Sequence, residues 1–211
     1  MQAIRTYFIK YFLSFLLIYL ALLGSSHLPP IRKNLKDFAR TKTGQVLNTT
    51  LPKAIFIADP QRLNLEESSS LITLAYANRA ALDAQRKQQQ VVAMDFQVLN
   101  YELDQIYLTG LFFFLALVLV TPISWQRKII GILIGGALLF LINTFVISVL
   151  ALEKVADSKI GIYDLSAGSL KIVTFLGNLF NNAIVFVVPV FVWAIVCFKR
   201  GDLKLLFPTS K

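Results

Sequence analysis

The stretch TPISWQRKIIGILIGGALLFLIN, residues 121–143, joins a short basic turn to a long apolar run. Pro122 ends any apolar helix that precedes it, Arg127 and Lys128 supply two cations, and an almost uninterrupted apolar run follows. About 20 apolar residues are enough for a helix to cross the hydrocarbon core of a bilayer. The stretch therefore predicts a membrane-spanning helix that begins at a cationic turn, and Asn143 within it is the residue that needs explaining.

The composition of the whole chain points the same way. Of its 211 residues, 56% are hydrophobic and only 16% are charged, with a net charge of +9 and a mean hydropathy of +0.64. Soluble domains carry about 25% charged residues. Cations that flank membrane spans meet anionic lipid head groups, so the positive charge predicts contact with the lipid bilayer and not with nucleic acid.

Four apolar runs extend this prediction to four spans. The first is expected to be a retained signal anchor, because the residues that follow it offer no good small-x-small cleavage site. The runs are Tyr7–Leu23, Ile106–Val120, Ile129–Leu152 and Ile172–Phe198.

Lysines and arginines in short connections predict the orientation of these spans. The proposed topology anchors are Arg127 and Lys128 between the second and third spans, and Lys199 and Arg200 after the fourth. With four spans, both groups lie on the same side of the membrane. We therefore expect a bacterial inner-membrane protein with both termini in the cytoplasm.

The long segment between the first two spans is expected to form a small α/β insertion outside the cytoplasm. It opens with Pro29-Pro30 and a basic amphipathic stretch, which predicts a helix against head groups or against the insertion's own strands. Residues 54–58, 70–77 and 91–103 have strand character, and the Gln-rich residues 78–90 between them predict a short helix or a long hairpin connection. Such a sheet is too small to be stable alone.

The predicted fold class is therefore a mainly α membrane protein, a four-helix transmembrane bundle with a small α/β extracytoplasmic insertion. Its predicted segments are span one at 1–24, the insertion at 25–105, spans two to four at 106–199, and a cytoplasmic tail at 200–211.

Polar side chains within the spans are the candidate functional residues, since an unpaired polar group in hydrocarbon is costly. Asparagines can join helices by hydrogen bonds, and Gly131, Gly135 and Gly136 offer a small face for close packing. A substrate site is the alternative. Counting helical rise from the span ends predicts that Asn143 approaches Asn182 across the third and fourth spans. The candidate intramembrane polar contacts are Asn143, Asn178, Asn181 and Asn182.

Other chemistry is poorly supported by the sequence. The chain has one Cys and one His, which excludes an internal disulfide and a Cys/His metal cluster, so neither a metal nor a cofactor is predicted. Cys197 and His27 are expected at opposite faces of the membrane, so no catalytic residue is predicted. The spans contain no acid, which disfavours an ion-coupled transporter. Asn48-Thr49-Thr50 matches a glycosylation sequon, which matters only in a eukaryotic secretory pathway.

Residues 122–152, PISWQRKIIGILIGGALLFLINTFVISVLAL, resemble one segment of the exosortase/archaeosortase membrane proteins. That segment has a basic turn, spaced glycines, an apolar run and an Asn-x-x-Arg-Ile ending. The residues that match are Arg127, Lys128, Gly131, Gly135 and Asn143. Val146 stands where the family has its Arg, and the chain has no Cys in an earlier loop, so the family's catalytic set is incomplete.

The layout of the chain resembles more closely the exosortase-associated membrane proteins, in which a strand leads directly into a span and a basic turn. The corresponding stretch is VVAMDFQVLNYELDQIYLTGLFFFLALVLVTPISWQRK, residues 91–128. This resemblance implies a non-catalytic accessory or assembly protein whose partner is a larger membrane protein or an exported protein. An exosortase-like intramembrane enzyme and a small transporter or channel subunit stay open as alternatives.

Overall fold

The structure is a computed structural model that describes residues 2–58, 70–88, 96–158, 160–182 and 184–198. Side chains are described within these ranges except at residues 2–8, 86, 88, 181, 182 and 184. The helices are α1 Gln2–Ser26, α2 Pro29–Thr50, α3 Arg79–Gln88, α4 Thr109–Val120, α5 Trp125–Ala156, α6 Ala167–Asn182 and α7 Ile184–Cys197. The strands are β1 Ala54–Ile57, β2 Leu71–Asn78 and β3 Gln97–Glu102, and a π-helical turn at Asp104–Leu108 leads into α4.

The four predicted apolar runs are all helical, but they are unequal. In the described part of the chain, α1 and α5 are each long and apolar enough to cross a membrane. The π-helical turn and α4 together form a shorter apolar helix, Asp104–Val120. The last run is divided into α6 and α7, which are bent by 77° and count as a third candidate span only if taken together.

The predicted insertion does contain a small sheet. Its three strands are antiparallel in the order β1-β2-β3, with Phe56 opposite Tyr76 and Leu74 opposite Leu99. The strands predicted at 54–58 and 70–77 are confirmed within one residue. The third prediction, 91–103, is confirmed over β3, Phe96 precedes the strand, and residues 91–95 lie outside the described residues. The segment after β2 is the helix α3.

One hydrophobic core, which we name the sheet core, joins the sheet to two helices. Its strand residues include Phe56, Ile72, Leu74, Tyr76 and Leu99. The helix α2 covers this face through buried residues such as Ala39 and Leu47, and α5 contributes from its last ten residues. The buried residues of α5 in this core follow at a spacing of four, Ile147, Ala151 and Val155.

A second core, which we name the bundle core, lies between α4, α5 and α7. Its buried residues are Phe114, Val118, Leu139, Val192 and Cys197. The glycine face that the sequence predicts is used here in part: a Cβ on Gly135 would overlap the ring of Phe114, whereas a Cβ on Gly136 would meet nothing within 4 Å. The α5 helix therefore takes part in both cores.

Candidate functional site

The two cations of the opening stretch lie at the ends of two other helices. Lys128 donates through Nζ to the carbonyl of Leu119 near the end of α4. Arg127 donates through Nη2 to the carbonyl of Cys197, the last residue of α7, at 3.0 Å. Helix C-termini carry unsatisfied carbonyls and a partial negative charge. Arg127 and Lys128 thus hold three helices together at one end of the bundle, which we name the basic end; Lys199 and Arg200 lie outside the described residues.

Two tryptophans fix the turn between α4 and α5. Trp193 of α7 donates through Nε1 to Thr121 Oγ1 at 2.8 Å, and the Thr121 hydroxyl donates to the carbonyl of Leu117 at 2.6 Å. Lys128 Nζ lies 5.0 Å from the centroid of the Trp125 ring. A cation over an indole ring is a favourable contact. The turn is therefore bonded to all three helices that meet there.

An open apolar cavity of about 790 Å³ adjoins this turn, between α1, α4 and the end of α7. Its described lining contains no acid, and Arg127 is its one cation. Most of the surface comes from aromatic and aliphatic side chains, among them Tyr11, Phe12, Phe15, Phe113, Trp193 and Phe198.

The predicted site residue Asn143 borders a second and much smaller cavity. This space, about 50 Å³, lies where α4 and α5 meet the α6–α7 break, and Gln105 of the π-helical turn lines it as well. Pro189 in α7 lacks an N–H, so the carbonyl of Val185 four residues before it loses its helical donor. Gly110 allows α4 to approach that carbonyl, since a Cβ there would be 3.1 Å from the Val185 oxygen.

The other predicted asparagines are not brought to Asn143 in the described structure. Asn178 lies on the exposed side of α6 and outside the lining of this cavity. The side chains of Asn181 and Asn182 lie outside the described residues, so the approach of Asn143 to Asn182 stays a prediction. What the structure does bring together is Asn143, Gln105 and the Val185 carbonyl region, a polar spot at a helix break.

The opposite end of the bundle is closed by an ion pair. Arg32 at the start of α2 donates through Nη1 and Nη2 to the two carboxylate oxygens of Asp104, at 3.1 and 2.9 Å. The hydrogen bond to Asp104 raises the pKa of Arg32, with burial opposing it. His27 Nδ1 lies 3.3 Å from Arg32 Nη1. This contact ties the α1–α2 corner to the start of α4, across 72 residues of sequence.

The polar side chains in and around the sheet core differ in whether their hydroxyl groups find a hydrogen-bond partner. Thr43 and Tyr107 share a hydrogen bond of 2.6 Å between α2 and the π-helical turn. Tyr76 donates from its hydroxyl to Gln97 Oε1 at 2.6 Å. Tyr101, by contrast, has a buried hydroxyl without a hydrogen-bond partner in the described part of the chain, and burial raises the pKa of its phenol.

Asn48 connects α2 to the edge strand β1. Its Nδ2 donates to the carbonyl of Phe56 and its Oδ1 accepts from the Phe56 N–H, both at 2.9 Å. Arg79 adds bonds to the carbonyl of Ala54 and to the same Asn48 oxygen. Because the Asn48 amide bonds both the N–H and the C=O of Phe56, it satisfies the backbone groups that a further strand would otherwise bond at this edge of the sheet.

The described residues hold no group of three or more His, Cys, Asp or Glu side chains that could bind a metal ion. Cys197 is buried at the basic end, and His27 is exposed beside Arg32 at the opposite end. The 17 residues from Asp104 to Val120 separate those ends, about 25 Å of helix at about 1.5 Å per residue. The two residues cannot form a nucleophile–base pair.

No family model, no curated protein and no solved structure matches the chain.

Sequence reasoning missed three of these features. Gln105 shows no pattern that separates it from other residues near a helix start, and the pairing of Arg32 with Asp104 joins residues far apart in sequence. The third feature, the face of α5 that packs in the sheet core, did carry a signal: Ile147, Ala151 and Val155 keep a spacing of four that continues past the charged Glu153 and Lys154.

Proposed function

We propose that the chain is a four-span accessory protein of the bacterial inner membrane, without catalytic activity, that holds its sheet outside the cytoplasm for contact with a partner. The observation that carries this proposal is that α5 packs in both the sheet core and the bundle core. Its 32 residues span about 48 Å at about 1.5 Å per residue, against about 30 Å of hydrocarbon. The excess length lies in the sheet core, so the sheet is fixed rigidly to the bundle.

In this proposal, Asp104–Val120 is the second span and the bent pair α6–α7 is the fourth. The first of these is about 25 Å long at about 1.5 Å per residue, which needs local thinning of the bilayer. The basic end then lies in the cytoplasmic leaflet, in agreement with the positive-inside rule. In the described residues, the acids all belong to segments near the sheet or its connections: Asp37, Asp83, Glu102, Asp104, Glu153, Asp157 and Asp164.

Reporter fusions test this topology. A reporter active only outside the cytoplasm should be active when it is fused at Lys87 and silent when it is fused at Lys211. A cytoplasm-only reporter fused at the same two positions serves as the matched control and should give the opposite pattern. Activity of the first reporter at Lys211 would exclude four spans with both termini inside.

The partner class follows from the resemblance to exosortase-associated proteins: a larger membrane protein of an exosortase-type sorting system, or its exported substrate. Val98 is exposed on β3, and Val98→Lys should reduce recovery of that partner after cross-linking in the native host. The control is Lys87→Gln on the exposed side of α3, which should leave recovery unchanged. Leu133→Lys on α5 is not used as a control, because it would insert a charge among lipids.

A second function, a small transporter or channel subunit, is favoured by the small cavity at the α6–α7 break, where Asn143 and Gln105 lie among apolar side chains. Broken helices near the middle of a membrane build substrate sites in many transporters. The variants Asn143→Leu and Gln105→Leu separate the two functions. If they abolish activity in the host while the unfolding free energy is unchanged, the cavity is a site; if they lower stability by about 0.6–2 kcal/mol with activity retained, the amides are structural.

A further inference from the structure

We propose that the large apolar cavity at the basic end binds one anionic phospholipid, with an acyl chain among its aromatic side chains and the phosphate at Arg127. The volume of about 790 Å³ falls within the range of about 300–1,000 Å³ that small-molecule pockets occupy. This inference rests on the membrane placement proposed above, which the reporter fusions test independently.

The walls of the cavity suit a hydrocarbon chain. The first wall is α1, which contacts the bundle chiefly through α4, where the rings of Phe15 and Tyr19 pack against Phe113. The second wall is the end of α4 with the turn at 121–124, and the third is Trp193 and Phe198 at the end of α7. Because α1 packs on the bundle chiefly through α4, the cavity between them stays open, and in the proposed membrane placement an acyl chain can reach it within the leaflet.

The charge at the cavity selects an anionic head group. Arg127 and Lys128 contribute two unit charges at the basic end. The C-termini of α4 and α7 each subtract about half a charge from these two, and the N-terminus of α5 adds about half a charge. The net charge at the basic end is therefore about +1.5. Without an acid in the described lining, the field at the cavity is positive. Guanidinium groups bind phosphate oxygens in a geometry that fits both partners.

Trp193 provides a direct probe of this site. The chain has two tryptophans, and Trp125 is 69% exposed outside the cavity lining, so a Trp125→Phe background leaves Trp193 as the one indole. The purified full-length protein in detergent is titrated with phosphatidylglycerol or with phosphatidylcholine, both carrying the same brominated acyl chains. We expect half-maximal quenching of Trp193 at about fivefold lower phosphatidylglycerol than phosphatidylcholine, the gain from one cation at a lipid surface.

Variants assign the preference to Arg127. Arg127→Gln should bring the two lipids to equal quenching, and Arg127→Lys, which keeps the charge, should retain most of the preference. Lys171→Gln removes an exposed cation at the start of α6 and should change nothing. If Arg127→Gln fails to fold, the unsubstituted protein and Arg127→Lys are compared at low and high salt. Their preference for phosphatidylglycerol over phosphatidylcholine should weaken as salt rises.

Two results would overturn the proposal. Equal quenching by both lipids in the unsubstituted protein would show that the cavity is an apolar surface that does not recognise the head group. Quenching that appears only after residues 203–211 are deleted would show that the chain's own tail, which follows Phe198 at the cavity, is the occupant.

Discussion

The sheet core and the bundle core share α5 but are closed by different means. The sheet core resembles the interior of a soluble domain, with strands, a covering helix and hydrogen-bonded side chains such as Thr43, Tyr107 and Tyr76. The bundle core contains apolar side chains and Cys197, and its polar contacts lie at its edge, where Arg127 and Lys128 reach helix ends.

In the membrane placement proposed above, the difference follows from the surroundings of each region, which are water for the sheet core and lipid for the bundle core. In water, burying apolar area stabilises a core by about 25 cal/mol per Å². Between helices in lipid that term is nearly absent, and close fit decides stability. We therefore expect truncation to damage the sheet core most, and added volume to damage the bundle core most.

Leu74→Ala is the strongest test of this contrast. Leu74 is fully buried on the central strand, and loss of its side chain leaves a cavity that should lower the free energy of unfolding by about 2–5 kcal/mol. Circular dichroism during denaturation of the detergent-solubilised protein measures it. The control is Leu133→Ala on α5, which is 68% exposed and should change little. Equal losses for both variants would contradict the contrast.

Gly135→Ala tests the bundle core by adding a methyl group. The new Cβ would overlap the buried Phe114 ring, so overpacking should lower the unfolding free energy by about 1–3 kcal/mol. Gly136→Ala is the matched control, because its Cβ meets nothing and alanine favours a helix. Adding Phe114→Leu should restore part of the stability of Gly135→Ala. A neutral Gly135→Ala would mean that α4 and α5 do not pack this closely.

Tyr101→Phe should stabilise the sheet core by about 1 kcal/mol, because it removes a buried hydroxyl without a partner. Tyr76→Phe is the opposite control, since it breaks the bond to Gln97 and should destabilise. Burial raises the pKa of both phenols, so the folded state resists their ionisation. Stability should be complete below about pH 10, the unfolded pKa, and fall as pH rises above it, less steeply in Tyr101→Phe. Denaturant titrations at pH 8 and pH 11 measure both effects.

Asp104→Asn tests the connection between the two regions and should have the smallest effect. Its carboxylate is about a third exposed, so solvent screens the ion pair with Arg32 and the loss should be about 0.5–1 kcal/mol, smaller at high salt. Asp37→Asn, which breaks an exposed i,i+3 pair with Arg40, is the control and should cost less. Hydrogen exchange should quicken at the α1–α2 corner in Asp104→Asn alone. Exchange that is unchanged there would mean that this ion pair does not hold the corner.

Elements of the fold that have a local sequence pattern, such as α5, β1 and β2, could be predicted. The basic turn and apolar run of α5 appear in the sequence as two cations followed by continuous hydrophobicity, and β1 and β2 appear as short, mainly apolar runs of strand character. The break between α6 and α7 follows Asn181 and Asn182, which were interpreted as contacts between helices, and Pro189 lies beyond it, so the break was not predicted. The extra length of α5 does not show in a hydropathy profile, where Ile147 and Val155 resemble lipid-facing residues, and its one signal is the spacing of four among the core residues.

The candidate site was predictable only as a set of residue types. Asn143 stands out in the sequence as a polar residue in an apolar run, but Gln105, which lines the same cavity, comes from a π-helical turn that no local pattern indicates. Arg127 and Lys128 were predicted as topology anchors that hold their turn in the cytoplasm. Their contacts with helix carbonyls depend on how three helices meet, which is a property of the tertiary structure.

The two bonds between Asn48 and Phe56 have a practical consequence for producing the protein. Asn48 begins a glycosylation sequon, and its side-chain nitrogen is the atom that a glycan would modify. A eukaryotic secretory host attaches glycans while the chain is still emerging, before β1 has formed. The modified nitrogen would carry a bulky sugar at the place where α2 meets the edge of the sheet. Yeast or insect-cell expression should therefore yield misfolded protein, and Thr50→Ala, which removes the sequon but spares Asn48, should rescue it.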